Sequence, residues 1–312
     1  MQNYQYETTP YNHQRVALED SWSAEYYALF MEMGTGKTKV AIDTMAILYE
    51  AEKLKAVLII APKGVYDNWV KGEIPIHLPK RIPRQLCRWI PSKTKKFEEE
   101  LMDFIVKKDP ILKIFVMNVE AFSTPRGTEA ATAFLYQNPA NMVVVDESTT
   151  IKNRKAARTK NIMSLQRHSK YRRILTGSPI TKSPMDLFSQ CGFLAEKSLG
   201  FNSFYAFQGR YANIQQRTMG HRSFQQVMGY RRLDELSEKL DVFSNRVLKM
   251  DCLDLPPKVY IRRDVELTPE QEKLYRQMKK LALAKLDNGE LATTASVLTQ
   301  IMRLQQICCG HL

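Results

Sequence analysis

Short apolar, β-branched runs separated by helical stretches constrain this chain more than any other feature. Ala56–Ala61 is the clearest, an unbroken apolar run stopped by Pro62. A run this short with no polar alternation reads as a strand buried on both faces of a parallel sheet. Tyr26–Met31, Ile111–Met117, Met142–Val145 and Arg173–Leu175 read as further strands, and Thr38–Tyr49 as a helix between the first two. Strands alternating with helices imply an α/β fold, a parallel sheet flanked by helices. Functional loops of such sheets gather at the carboxyl ends of the strands.

The motifs that carry chemistry fall at those ends. Gly34-Thr35-Gly36-Lys37-Thr38 follows a strand and opens a helix. Glycines there let the backbone wrap phosphates, and the helix N-terminus supplies N–H donors and a positive dipole. Lys37 is placed to reach the β- and γ-phosphates of ATP and Thr38 to ligate Mg2+. The full phosphate-loop pattern has Gly where this chain has Met31. Asp146-Glu147 follows Val143-Val144-Val145. A carboxylate at the end of a buried strand is costly unless it binds something. Asp146 suits Mg2+, and Glu147 is then placed to orient and deprotonate an attacking water.

Charge and cysteine usage narrow the setting. The chain has 312 residues, with 46 Lys and Arg against 33 Asp and Glu, a formal net charge of +13. That excess favours an anionic partner, most often nucleic acid. The 44% hydrophobic and 25% charged content is that of a globular protein, which excludes disorder and collagen-like repeats. The five cysteines are odd in number, scattered, and without histidines at zinc-ligand spacing. They read as free thiols of a reduced, intracellular protein, with Cys308 and Cys309 buried. The polar N-terminus has no signal-peptide h-region, and no apolar run is long enough to span a bilayer.

The motifs together resemble the Swi/Snf-type ATPases, a branch of the superfamily-two helicases and translocases. Pro62-Lys63 with Asn68-Trp69 and Glu73 is similar to that branch's P-x-S-L…N-W…E segment. Asp146-Glu147-Ser148-Thr149 with Ile151-Lys152-Asn153 resembles D-E-A-H…I-K-N, and Leu175-Thr176-Gly177-Ser178-Pro179-Ile180 resembles L-T-G-T-P-I. Leu255-Pro256-Pro257-Lys258, Glu266-Leu267-Thr268, Gln271 and Tyr275 resemble L-P-P-K…L-T-x-x-Q…Y, and Leu304-Gln305-Gln306-Ile307-Cys308 resembles L-R-Q-I-C. The likeness runs from about Tyr11 to Cys308, and the branch often lacks the glycine at the place of Met31. Ser148-Thr149 departs from the branch's Ala-His, so any coupling made by that histidine must be rebuilt by hydroxyls.

The resemblance implies a RecA-like lobe over 1–190, a helical insertion over 191–258, and over 259–312 a last strand, Val259–Leu267, with helices leading to a second lobe outside this chain. It implies an ATP hydrolase that couples turnover to movement on double-stranded DNA without sequence preference. The ATP-binding set is then Gln14 as adenine reader with Gly34, Thr35, Gly36, Lys37 and Thr38. The catalytic set is Lys37, Asp146 and Glu147, the metal set Thr38 and Asp146, and Thr176, Gly177 and Ser178 couple the site to movement. Pro62, Lys63, Asn118, Lys152, Asn153 and Arg154 are the implied duplex-backbone contacts. The second lobe would supply arginine fingers, so this chain alone is expected to be nearly inactive. Alternatives are a strand-separating helicase, a nucleotide-gated DNA-binding module without turnover, and a phosphate-loop enzyme acting on a small molecule.

Two segments have readings of their own. Thr150–Arg173 holds nine Lys or Arg and no acid, which fits either a solvated face or phosphate contacts. Phe201–Leu233 holds five arginines, many aromatics and no acid. The helical spacing of Phe204, Phe207 and Tyr211 reads as a mostly helical subdomain, and the arginines offer a grip on the DNA minor groove. Thr268-Pro269-Glu270-Gln271 reads as a capping box opening a helix that Asp287-Asn288-Gly289 stops. A last helix is expected over about Leu291–Ile307. None of the five histidines forms a triad or metal arrangement.

Overall fold

The computed structural model describes residues 4–92, 94–219, 222–252, 254, 256, 259–287 and 294–310. The chain divides into two compact units, Met1–Leu255 and Pro256–Leu312. In the first unit, seven parallel strands form one sheet: β1 (Tyr26–Met31), β2 (Ala56–Ala61), β3 (Arg84–Arg88), β4 (Leu112–Asn118), β5 (Asn141–Asp146), β6 (Tyr171–Leu175) and β9 (Ser244–Val247), in the order β3-β4-β2-β5-β6-β1-β9.

Side-chain alternation along the strands builds a core on each face of the sheet. Phe30, Leu58, Ile60, Phe115, Val143 and Val145 pack on one side, with Phe104, Phe134 and Phe193 from helices. Leu29, Met31, Val57, Ile59, Val116 and Val144 pack on the other, against Val40, Ile42 and Met45 of α2 (Lys37–Glu50). The central strands are covered on both faces, which is why they read as continuous apolar runs. β3 and β9 do not read that way. Their sequences, Arg-Gln-Leu-Cys-Arg and Ser-Asn-Arg-Val, belong to the two edges of the sheet. Charged, half-exposed edges discourage pairing with further strands and carry no apolar signal.

Some of the basic residues of Thr150–Arg173 are inside the fold. Arg173 is fully buried on β6, and its guanidinium donates to the carbonyls of Ser21 and Ala24 at 2.7 Å. Arg172 donates to Ser169 O at 2.7 Å and to Leu194 O at 2.5 Å. These two cations close the turn after α1 (Asn12–Ser21) and the end of the helix Leu187–Leu194; Arg173 is no surface charge and Arg172 is half-buried.

The segment after residue 190 corrects two sequence expectations. The helices Phe204–Tyr211 and Leu233–Asp241 are present, and Phe207 and Tyr211 are fully buried as their spacing requires. Between them, however, β7 (Ala212–Met219) and β8 (Arg222–Tyr230) form an antiparallel ribbon rather than a helix. The aromatic periodicity holds only as far as Tyr211. Beyond it Ile214 pairs with Val227, Arg217 with Phe224 and Thr218 with Ser223, cross-strand pairs that favour a ladder. The strand expected over Val259–Leu267 is also absent. Those residues have no regular secondary structure, and Val259, Tyr260, Ile261 and Val265 are exposed. The strand beside β1 is β9, earlier in the chain.

In the second unit the capping box forms as expected. Thr268 N donates to Gln271 Oε1 at 3.0 Å, and Gln271 N donates to Thr268 Oγ1 at 3.2 Å. The helix Pro269–Asp287 follows and packs on the helix Thr294–Cys308, with Gln271 Nε2 donating to Ile307 O at 3.1 Å. Asn288 and Gly289, the expected stop, lie outside the described residues, as do 291–293. Cys308 and Cys309 are exposed rather than buried, because Ile307 takes the inward position at that end. No helix among the described residues is long and apolar enough to cross a membrane.

Candidate functional site

The sheet order brings three loops together. β5, β6 and β1 are neighbours, with Asp146 level with Leu175 and Leu175 level with Leu29. The phosphate loop after β1, the carboxylates after β5 and the Thr176-Gly177-Ser178 turn after β6 therefore share one edge. A cleft of about 520 Å3 lies there, bordered by Gln14, Gly34, Gly36, Lys37, Thr38, Asp146 and Glu147.

The loop itself needs its glycines. Gly34 and Gly36 have φ of +85° and +88°, the left-handed region that side chains resist. A Cβ on Gly36 would also lie 2.1 Å from Gln14 Nε2. Thr35 turns inward, its hydroxyl donating to Glu32 O at 2.8 Å and its N–H to the same carbonyl at 3.1 Å. Lys37 is almost buried, with Nζ 3.4 Å from Glu147 Oε1.

The carboxylates are held separately. Asp146 is buried; its Oδ2 accepts from Trp69 Nε1 at 2.9 Å and its Oδ1 from Glu147 N at 2.9 Å. Burial pushes its pKa up, opposed by the Trp69 hydrogen bond and by Lys37. A cation at this carboxyl would keep it ionised. Glu147 sits at φ +46°, a left-handed conformation that costs about 1–3 kcal/mol for such a residue. That kink aims its carboxylate back at Lys37 and at Thr176, whose hydroxyl donates to Oε2 at 3.3 Å. Thr176 Oγ1 in turn accepts from Ser178 N at 3.2 Å. Ser148 Oγ donates to Gln190 Oε1 at 2.7 Å, and Gln190 Nε2 donates to Pro179 O at 2.8 Å. A hydroxyl and an amide thus link the two loops from Ser148, the position next to the one where the branch has a histidine.

Gln14 bridges two parts of the site. Its Oε1 accepts from Tyr11 N at 3.0 Å, and its Nε2 donates to Thr35 O at 3.1 Å. Each end keeps one free valence, a second N–H and a second lone pair.

Sequence reasoning missed several neighbours. His13 Nε2 donates to Thr35 O at 2.7 Å. Lys39 and Asp43 form a buried pair at 2.8 Å, and Tyr4 OH donates to Asp43 at 3.0 Å, which fixes the N-terminal segment beside the cleft. His77, 2.7 Å from Thr8 Oγ1 through Nδ1, does the same farther along. Trp69 had a signal, the Asn68-Trp69 dipeptide, but only packing shows that its indole holds Asp146. The Lys39–Asp43 pair is a local i,i+4 contact on α2, whereas the His13, Tyr4 and His77 contacts are long-range and leave no local pattern.

The nucleic-acid candidates lie on the adjoining part of the same edge. Pro62 and Lys63 follow β2, Asn118 ends β4, and Lys152, Asn153 and Arg154 follow β5, three neighbouring strands. Not all are equally free. Lys152 is bonded to the Thr181 hydroxyl and lies 3.9 Å from Asp186. Asn118 Nδ2 donates to Glu120 at 2.9 Å. Arg154 stacks on Phe204, 4.3 Å from the ring centroid.

The model of the SNF2-related domain matches residues 23–311. The chain belongs to this family. It is 29% identical over 280 residues to the mouse (Mus musculus) DNA annealing helicase and endonuclease ZRANB3, spanning 87% of this chain and 24% of that protein. It is 27% identical over 267 residues to the human (Homo sapiens) helicase-like transcription factor, spanning 83% of this chain and again 24% of the relative. The chain thus spans about a quarter of the length of these relatives. The Sulfolobus solfataricus SWI2/SNF2 ATPase core in complex with dsDNA has a similar fold. Its TM-score is 0.59 at 21% identity, covering 98% of this chain and 60% of that one. The α/β fold and the Swi/Snf-type membership expected from the motifs therefore hold for this SNF2-related chain.

Proposed function

We propose that this chain is the nucleotide-binding lobe of a motor that hydrolyses ATP with Mg2+ and moves along duplex DNA. The observation that carries the reading is the convergence of Lys37, Asp146 and Glu147 on one cleft, with Thr176 bonded to Glu147 behind it, beside an edge that presents Lys63, Asn153 and Arg154. The names of the relatives and of the similar structure, which concern helicases and a complex with dsDNA, support it.

Each residue has a physical task. The backbone of residues 34–38 and the start of α2 receive phosphate oxygens. Lys37 neutralises charge on the β- and γ-phosphates. The Thr38 hydroxyl and the Asp146 carboxylate are hard oxygen donors of the kind Mg2+ prefers. Mg2+, when bound, neutralises the charge that develops on the phosphate oxygens. Glu147 orients a water and takes its proton, and Thr176, bonded to the same carboxylate, is placed to sense its charge. Ser148 and Gln190 offer a second route from that loop to Pro179. Lys63, Asn153 and Arg154, with Pro62, Asn118 and Lys152, make backbone contacts that fix register and carry no base readout. A reducing, intracellular compartment holding DNA suits the free thiols and the basic charge.

Translocation is tested on the native-length protein by displacement of a triplex-forming oligonucleotide from duplex DNA. ATP-dependent displacement without strand separation is expected. Nucleotide turnover with no displacement, or strand separation on a forked duplex, would assign a different activity.

Gln14→Ala should narrow the discrimination of ATP over GTP. The free N–H and lone pair of the amide match the ring nitrogen and amino group of adenine, whereas guanine offers a carbonyl at that edge. Because the same amide bonds Thr35 O, affinity for both nucleotides should also fall. Calorimetric titration of both nucleotides checks this. An unchanged ATP-to-GTP affinity ratio would remove Gln14 from base recognition and leave it as a brace.

A further inference from the structure

The β7–β8 ribbon has no partner within the fold described above, and its two faces differ. Directly paired residues lie on the same face of an antiparallel ladder. One face carries Ile214 with Val227, Gln216 with Gln225, and Thr218 with Ser223. The opposite face carries Gln215 with Gln226 and Arg217 with Phe224, and Arg217 Nη2 lies 3.9 Å from the Met228 sulfur. Phe224 and Met228 are 46% and 52% exposed. From Lys197 to Leu233 the chain contains no Asp or Glu at all. Arg217 has no carboxylate partner among the described residues.

The root of the ribbon is held firmly. Arg210 donates to Glu235 Oε2 through Nε at 3.1 Å and Nη2 at 2.5 Å, and Tyr211 OH donates to Glu235 Oε1 at 3.0 Å. The Arg210 hydrogen bonds hold the Glu235 carboxyl down to about 2, so the clasp is ionised at neutral pH. Arg231 Nη2 donates to Gly209 O at 2.7 Å on the returning strand. The helix at this root also meets the sheet edge, because Arg154 lies over both Phe204 and the exposed Tyr205, 4.3 Å and 5.2 Å from the ring centroids. The basic loop after β5 therefore meets the helix that leads into the ribbon.

We infer that the ribbon is a second contact with duplex DNA, seated in a groove with Gln215, Arg217, Phe224 and Gln226 against it. This rests on the reading of duplex DNA as the partner. A two-stranded ribbon fits the major groove of B-DNA. The unpaired Arg217 and the absence of acids complement the phosphates. The amides match phosphate and sugar oxygens, contacts that fix position without base readout, and Phe224 gives apolar contact to the sugar edge. The face is too polar for a protein-docking patch, since the exposed apolar side chains on it are separated by Arg217 and the glutamines.

The test compares the full chain with an Arg217→Ala/Phe224→Ala variant, using fluorescence anisotropy of a labelled duplex at salt from about 50 to 200 mM. The variant should bind the duplex about tenfold more weakly, with the salt slope smaller by about one. Its ATP affinity should be unchanged. Equal duplex affinity and slope in the two proteins would overturn the inference, as would a loss confined to single strands. A wild-type chain that binds no duplex would overturn the reading beneath it. Duplex binding that Lys152→Ala weakens and the ribbon variant does not would overturn the ribbon alone. Hydrogen exchange on the wild type needs no folded variant. Amides over 213–228 should slow when duplex is added, and unchanged exchange there would assign the ribbon elsewhere.

Discussion

Glu147→Gln is expected to leave ATP binding intact while lowering turnover by about 10² to 10⁴, the usual contribution of a positioned general base. The substitution keeps the size of the side chain and removes its basicity. It also removes the carboxylate 3.4 Å from Lys37 Nζ, freeing that ammonium for phosphate, so ATP affinity should hold or rise. Lys37→Ala should do the opposite. The phosphates lose their main cationic partner at the loop, and both binding and turnover collapse. Calorimetry for affinity and phosphate release for turnover, on the native-length protein with duplex DNA, separate the two. Equal loss of affinity in both variants would refute the division of roles.

The second large effect concerns the opposite wall of the site. Residues 34–38, 146 and 147 approach the nucleotide from one side, and among the described residues the cations bordering the cleft, Lys37 and Lys39, both lie on α2. A transition state that spreads charge over the γ-phosphate needs cations on the far side as well. An arginine finger is worth about 10³ to 10⁵ in rate. The resemblance implies that a second lobe supplies them, and the matched relatives are about four times as long as the region shared with this chain. Residues 1–312 alone should therefore turn ATP over slowly even with saturating duplex, and a protein carrying a second lobe should exceed it by about that factor. Comparable turnover by the two, in preparations free of contaminating ATPase, would show that this lobe completes its own site. DNA binding by the isolated chain should persist, weaken steeply with salt and show no sequence preference, because it rests on phosphate contacts.

What was legible in the sequence follows burial. β1, β2, β4, β5 and β6 are enclosed on both faces, so they show as short, mostly apolar runs with definite ends. The polar edge strands β3 and β9 were not legible, because an edge needs little apolar surface and gains from charge. The ribbon misled for a related reason. Both its faces are exposed, so no buried stripe fixes its period, and the aromatic spacing of the preceding helix was carried past its end at Tyr211.

The same division holds at the site. The sequence by itself determined where the candidate phosphate and metal residues sit, since the positions of Gly34, Gly36, Lys37, Thr38 and Asp146 follow from local backbone conformation and from the strand-to-turn place of each. It also determined the family, because ordered motifs survive where the overall identity is low. Tertiary structure alone decided how those residues are held. The adjacency of β5, β6 and β1 puts Glu147 within reach of both Lys37 and Thr176. Trp69 reaches Asp146 across 77 positions of chain, and Ser148 reaches Gln190 across 42. Such contacts have no period and no fixed spacing, since they come from the packing of elements whose order in space differs from their order in the chain.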